Sequence, residues 1–282
     1  MTPTPVTALD CAGRAVDLTR TAVMGVLNVT PDSFSDGGRF LLRDVAVAHA
    51  RRMAAEGADI IDVGGESTRP GAAAVPVQEE LDRVVPVIEA LRDALPVALS
   101  VDTAKPEVMR AAVAAGAGMI NDVMALRADG ALAAARDAGV PVCLMHMQGE
   151  PRSMQRDPRY GDVVAEVKAF LAGRIAACEA AGIARARLVI DPGFGFGKTL
   201  EHNLALLRAL REFTALGVPV LAGLSRKSMI DKALGLPLER RLYASLALAL
   251  IAARNGARIL RVHDVAATRE ALRMAEAVEG LS

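Results

Sequence analysis

The sequence predicts an α/β fold, a (β/α)8 TIM barrel formed as one domain over residues 1–282, on three observations. Short apolar or β-branched runs alternate with longer Ala-rich stretches whose apolar residues recur every three or four positions, the signatures of buried strands and amphipathic helices. The alternation repeats eight times, which suits a closed barrel better than a doubly wound sheet with fewer strands and a switch point. Six glycines, Gly57, Gly116, Gly139, Gly182, Gly217 and Gly256, each close a helical stretch ahead of a strand, where a left-handed C-cap belongs.

In chain order, a predicted strand over Val23–Leu27 leads through the turn-rich segment Thr30–Phe40 to a helix over Asp44–Glu56. Ile60–Val63 follows, then a second long loop, Glu66–Pro76, and a helix over Val77–Leu95. Strands at Val97–Val101, Met119–Asn121 and Pro141–Met145 precede helices at Pro106–Ala115, Gly130–Ala138 and Asp162–Ala181. Leu188–Ile190 leads to Asn203–Leu216, and Val218–Ala222 to a helical turn at Ser228–Ala233 and a helix over Arg240–Asn255. Ile259–Val262 and Asp264–Ala277 complete the eighth unit. No linker, low-complexity tract or charge block divides the chain, and the first dozen residues carry no pattern.

Composition bounds the partners. Lys plus Arg number 33 and Asp plus Glu 33, so no uniform basic field gathers nucleic acid or anionic lipid, and any anion must be bound locally. Aromatic residues make up 3% with no Trp, which leaves few rings for stacking bases, and no nucleic-acid partner is expected. Hydrophobic residues reach 52%, yet the purest apolar run, Leu242–Ala253, is shorter than the ~20 residues of a membrane span and includes Tyr243 and Ser245. It reads as a buried helix, with no membrane partner. The N-terminus has no basic start followed by an apolar run, so a cytoplasmic location is expected. Cys11, Cys143 and Cys178 are odd in number and far apart, which suggests reduced structural thiols rather than disulfides or a zinc ribbon.

Function in such barrels lies at the C-terminal ends of the strands. There the sequence places Asn28, Asp62 with Glu66–Arg69, Asp102, Asn121-Asp122, His146, Asp191, Ser225–Ser228 and Arg261–Asp264. Taken singly, Asp102, Asp122 and Asp264 also fit N-caps of the following helices. Taken together, the rim reads as a site, because helices need no Lys, Arg or His at that end. Acceptors at Asp102, Asn121 and Asp191 suit a flat heterocycle with several N–H donors, purine-like or pterin-like. Arg261, His263 and Lys227 suit an anion at the end where barrels commonly bind phosphate. Arg226 reads as an ion pair outside the site.

Two further signals are discounted. Gly193–Thr199 ends like a phosphate-binding loop, but Pro192 stands where the first glycine is needed, and Lys198 takes the third glycine position of the dinucleotide fingerprint. It reads as a flexible loop beside Asp191. Cys143 and His146 resemble half a metal site without a second half, so His146 reads as packing and no zinc is predicted. The two long loops after the first and second strands read as lids or substrate clamps.

The segments Asn28–Gly38 and Asp62–Gly71 resemble the two signature segments of the dihydropteroate synthase family, and Asp191–Lys198, Ser225–Ser228 and Arg261–His263 resemble its later motifs. The resemblance runs from about Val23 to His263. It implies a pterin-binding barrel that condenses hydroxymethyl-dihydropterin pyrophosphate with p-aminobenzoate, releasing pyrophosphate and dihydropteroate. It further implies that Asp102, Asn121, Asp191 and Lys227 hold the pterin, with Met145 and Gly223 near its ring. Asn28, Thr68, Arg261 and His263 would hold pyrophosphate, with Asn28 toward Mg2+ as cofactor. Thr68, Pro70, Phe194, Lys227 and Ser228 would receive p-aminobenzoate, and Asp102, Asp191, Lys227, Arg261 and His263 would carry the catalysis. Sulfonamides as inhibitors and a homodimer follow from the same resemblance. Two alternatives stand beside it: a pterin-barrel methyltransferase using Asp102, Asn121 and Asp191, and a catalytically silent pterin-binding or regulatory paralogue.

Overall fold

Eight parallel strands pair in sequence order and the last returns to the first, closing a barrel in a computed structural model that describes residues 6–30, 39–67, 74–149 and 154–279. A hairpin of β1 (Ala8–Cys11) and β2 (Arg14–Asp17) precedes the barrel strands β3 (Ala22–Asn28), β4 (Ile60–Gly64), β5 (Ala98–Asp102) and β6 (Met119–Asp122). The barrel continues with β7 (Val142–Met145), β8 (Leu188–Asp191), β9 (Val220–Ala222) and β10 (Ala257–Val262). Around it lie α1 (Arg39–Ala55), α2 (Val77–Arg92), α3 (Pro106–Ala115), α4 (Ala131–Ala138) and α5 (Val163–Ala180). The ring is completed by α6 (Leu200–Arg208), the short α7 (Ser228–Leu234), α8 (Leu242–Arg254) and α9 (Val265–Glu279).

All eight predicted strands are present, and each of the six punctuating glycines has a positive φ, from 72° at Gly139 and Gly217 to 125° at Gly116. Boundaries moved where local chemistry overrode pattern. The helix expected over Asn203–Leu216 is α6 followed by a 3-10 turn, Leu210–Leu216. It starts at Leu200 because Thr199 and His202 form a reciprocal capping pair. Val218 and Pro219 lie outside β9, which is only three residues long.

Side chains alternate along each strand, one set meeting the helices and the other the barrel axis. The inward residues nearest the strand starts, Met24, Ile60, Ala98, Met119, Cys143, Val189, Leu221 and Ile259, form an apolar plug with Leu9, Cys11, Val16 and Leu18. The hairpin therefore seals the N-terminal mouth, through a two-residue turn with Ala12 and Gly13 both at positive φ. It lies so close to β6 that a Cβ on Gly118 would stand 2.4 Å from the Cys11 carbonyl oxygen. Leu9 and Cys11, from the stretch that carries no pattern in the sequence, thus help to close one end of the core. Toward the other end the interior turns polar, with Asp62, Ser100, Asp102, Asn121 and Asp191 all buried. Among the described residues no helix is long and apolar enough to cross a membrane.

Candidate active site

A single guanidinium organises the polar half of the barrel. Arg261, on β10, donates from Nε to Asp62 Oδ2 at 2.6 Å and from Nη2 to Asp102 Oδ2 at 2.8 Å. Asn121 Nδ2 donates to the same Asp62 oxygen at 3.0 Å, while Asp62 Oδ1 is buried with no hydrogen-bond partner among the described residues. Burial pushes the Asp102 carboxyl up to about 7, with Arg261 pulling the other way. Burial also disfavours the Arg261 charge, but Asp62 and Asp102 outweigh it and hold the guanidinium above its usual range. Arg261, which the resemblance groups with the pyrophosphate residues, therefore shares an ion pair with a carboxylate that the resemblance groups with the pterin residues. Asp62 was placed on the rim with no role. A charge at an inward position between Ile60 and Gly64 is the signal that marks it.

Glycines keep the pocket open. A Cβ on Gly64 would stand 3.6 Å from Asn28 Oδ1 and 3.8 Å from Asp102 Oδ2, and one on Gly223 would stand 3.9 Å from Arg261 Cβ and 4.0 Å from Lys227 Nζ. Asn28 ends β3 half-buried, facing Asp102 across Gly64, and Met145 is buried at the end of β7.

Opposite Arg261, Asp191 ends β8 and accepts the Gly193 N–H at 2.7 Å. Burial raises its pKa, while Lys227 draws it down. The Lys227 ammonium donates to the Phe194 carbonyl and lies 4.4 Å from the centre of the Phe196 ring. Burial lowers its pKa to about 8, with Asp191 opposing. The segment between them is pinned rather than flexible, a correction to the sequence reading. Gly193, Gly195 and Gly197 all have positive φ, and a Cβ on Gly193 would fall 1.9 Å from the His146 carbonyl oxygen. Asn203 Oδ1 accepts the Gly195 N–H at 2.7 Å, and the Tyr160 hydroxyl donates to the Gly197 carbonyl at 2.9 Å. The alternation of glycine and phenylalanine sends the two rings to different places. Phe194 is fully buried in the shell between strands and helices, so only its carbonyl meets Lys227, and the ring beside that lysine belongs to Phe196.

On the remaining side, Ser225 Oγ accepts the His263 N–H at 3.2 Å and lies 3.1 Å from His263 Nδ1, joining the ends of β9 and β10. Arg226 forms the ion pair expected of it, with Nε and Nη2 at 2.9 and 2.5 Å from the Asp264 carboxylate. Its φ of 56° is left-handed, although it is not glycine. Ser228 is exposed as the first residue of α7. Of the three aspartates that also fitted N-caps, Asp102 and Asp264 pair with arginines, and Asp122 accepts the Met124 and Leu126 N–H groups at 2.7 Å each. Thr68 and Pro70 lie outside the described residues. The base of their loop is tied where Glu66 Oε1 accepts the Val75 N–H at 3.2 Å and Lys105 bridges Glu66 and Glu80.

Residues 24–263 match the pterin-binding enzyme family. The chain is 56% identical to dihydropteroate synthase of Escherichia coli strain K12 over 265 residues, 94% of each chain. It superposes on Xanthomonas albilineans dihydropteroate synthase with 4-aminobenzoic acid at a TM-score of 0.93, with 60% identity over 98% of this chain and 99% of that one. The structure of the Xanthomonas albilineans enzyme in complex with 7,8-dihydropteroate gives a TM-score of 0.88 and 57% identity over 96% and 98% of the two chains. With the barrel, the rim and these likenesses in agreement over nearly the whole length, the chain belongs to the pterin-binding enzymes, among the dihydropteroate synthases.

Proposed function

We propose that the protein condenses hydroxymethyl-dihydropterin pyrophosphate with p-aminobenzoate to give dihydropteroate and pyrophosphate. The observation that carries this reading is the pairing of two buried carboxylate sets, Asp62–Asp102 bound by Arg261 and Asp191 faced by Lys227, around one barrel mouth. A pterin ring offers adjacent N–H donors that a carboxylate such as Asp191 accepts, and Asn121 and Asp102 supply further polar partners. Lys227 and the Phe196 ring border the place where an arylamine would approach, with Ser228 at the exposed start of α7 to meet its carboxylate.

The chemistry follows from charge. A pyrophosphate ester leaves readily once its negative charge is neutralised, and Arg261 and His263 stand at the strand ends for that purpose. The carbon left behind is cationic, and buried carboxylates favour it. A neutral arylamine then attacks without a strong base, and its proton passes to solvent or to the departing anion.

Magnesium fits this site as a companion of the substrate. Among the described residues no group of three His, Cys, Asp or Glu could hold a metal by itself, but magnesium commonly takes one or two protein oxygens and completes its shell with phosphate and water. Asn28 Oδ1 would be the protein oxygen, and the ion would neutralise charge on the leaving group.

A homodimer is supported by apolar residues left exposed on two adjacent helices, Tyr243 and Ile251 on α8 with Met274 and Val278 on α9. The absence of any membrane-length helix among the described residues accords with a cytoplasmic location. The test is pyrophosphate release by purified protein given both substrates and magnesium. Release dependent on p-aminobenzoate supports the reading. Pterin binding without release would leave a silent paralogue, and methyl transfer from a reduced folate would replace it.

A further inference from the structure

Lys198 is a buried cation that the reaction outlined above does not use. Its side chain is 1% exposed, and Nζ donates to the Phe196 carbonyl at 2.9 Å and to His146 Nδ1 at 3.0 Å, with the His146 carbonyl at 3.4 Å. None of these partners is an anion. Among the described residues no carboxylate stands within ion-pair distance of this ammonium, and burying it so costs much more than a methionine of similar length, so the charge calls for a reason. The groups around it supply one. His146 follows β7, packs edge-on against the Phe170 ring at 4.9 Å and accepts through Nδ1, which places its proton on Nε2. Burial, with Lys198 beside it, keeps that imidazole neutral, with a pKa near 3. Tyr160, next to His146, is also uncharged at neutral pH, and burial raises its pKa. The charged groups acting on Lys198 are Asp191 at the end of β8 and Lys227 after β9, the first attractive and the second repulsive.

We propose that Lys198 is a positioning residue for Asp191: it ties the segment after β8 to the end of β7, and its charge keeps the Asp191 carboxylate ionised to accept the N–H donors of the pterin. The geometry carries the tie between the two segments, and the attraction between Lys198 and the buried Asp191 supports the second part. The Phe196 carbonyl and the His146 carbonyl and ring belong to the two chain segments that meet at Gly193, where no side chain fits. Asp191 itself is buried and would take up a proton more easily without a nearby cation. Burial also lowers the Lys198 pKa to about 7, so its support is strongest on the acid side of neutrality and fades above it.

This proposal rests on the reading of the site as a pterin pocket, and the experiment separates the two. Calorimetry with hydroxymethyl-dihydropterin lacking pyrophosphate is run from pH 6 to pH 9 on the wild-type chain and on Lys198→Met, Lys198→Gln and Lys198→Arg, with thermal unfolding as a control. Lys198→Gln keeps a donor for the Phe196 carbonyl without the charge, and so remains informative if the Met variant fails to fold. Both neutral variants are expected to bind at least tenfold more weakly at pH 7, with the acidic limb of the affinity curve moved to higher pH. The Arg variant recovers most of the loss and loses the decline above pH 7 that Lys198 causes. Any alkaline limb common to all four proteins belongs to Lys227. Wild-type affinity and an unmoved acidic limb in the folded neutral variants would overturn the role of Lys198 alone. Failure of the wild-type chain to bind the pterin would overturn the pocket reading and this proposal together.

Discussion

Arg261 and Asp102, 159 residues apart in the chain, meet inside the barrel at 2.8 Å, and the same guanidinium holds Asp62 at 2.6 Å. Removing the cation strands two buried carboxylates. Breaking a buried pair in this way typically costs about 3–5 kcal/mol. Arg261→Ala is therefore expected to be destabilised and to bind unphosphorylated pterin poorly, since its partner Asp102 is one of the residues proposed to meet the pterin. The loss depends on pH in a definite sense. Without Arg261, which draws it down, the folded pKa of Asp102 rises further above its unfolded value, so stability is retained at low pH and lost as pH rises through the folded value. Urea midpoints for the variant should fall further below wild type at pH 8 than at pH 5. A deficit equal at both values would mean that the carboxylates are not the source.

Asp191→Asn tests the second carboxylate without emptying its space. The amide oxygen can still accept the Gly193 N–H, now at 2.7 Å, so the loop should keep its shape. Its remaining group is a donor, and it faces ligand donors. The mismatch leaves buried N–H groups unsatisfied, at about 1–3 kcal/mol, or roughly 5- to 150-fold in pterin affinity by calorimetry. Unchanged affinity would move the pterin away from Asp191.

How much of this was legible in the sequence depended on which face of an element carried the signal. Strands buried on both sides read as short unbroken apolar runs, and Ile60–Val63 or Leu188–Ile190 could scarcely be anything else. The hairpin was missed because Ala8–Cys11 and Arg14–Asp17 are four residues each and alternate with exposed polar positions, too short for a period to emerge. Within the site, Asp102, Asn121 and Asp191 were visible because each lies within a residue of a strand's end. Asp62 was seen but given no role, since nothing in sequence brings Arg261 to it. The resemblance directed Phe194 to the arylamine, but the positive φ values of the surrounding glycines turn that ring into the core and leave Phe196 beside Lys227. Lys198 stands in the sequence as a departure from a nucleotide motif and as the last residue of a segment that resembles a family motif, with no role of its own, because burial of a lysine is a tertiary fact.

The plug at the N-terminal mouth should affect stability without touching catalysis. Leu9 and Val16 are 1% and 3% exposed and pack among the inward residues of the strand starts. Leu9→Ala leaves a cavity there, and such truncations cost about 2–5 kcal/mol. Thermal unfolding should register this loss, while KM for both substrates and kcat at a temperature well below the transition stay at wild-type values. A raised KM would mean that the hairpin acts on the site at the other end of the barrel.

Arg226 provides the sharpest test of how the arylamine side is held. Its φ of 56° places a non-glycine residue in the left-handed region immediately before Lys227, a conformation that costs of order 1–3 kcal/mol and persists only where neighbours enforce it. Those neighbours are the Asp264 carboxylate on its guanidinium, the Ser245 hydroxyl accepting its N–H at 2.9 Å, and Arg241 donating to its carbonyl at 3.2 Å. Asp264→Asn removes the charge pair while leaving the backbone contacts, and Arg226→Gly removes the pair together with the steric penalty. If the ion pair serves to enforce the kink that aims Lys227 and Ser228, Asp264→Asn should raise KM for p-aminobenzoate and weaken sulfonamide binding several-fold. Arg226→Gly should do less harm, because glycine takes the same φ without assistance. Pterin affinity should hardly change in either, since Asp191 and Asp102 are held by other contacts. Equal damage in the two variants would show that the guanidinium matters in itself rather than through the backbone it holds, and unaltered KM in both would mean that the kink survives on the Ser245 and Arg241 bonds alone.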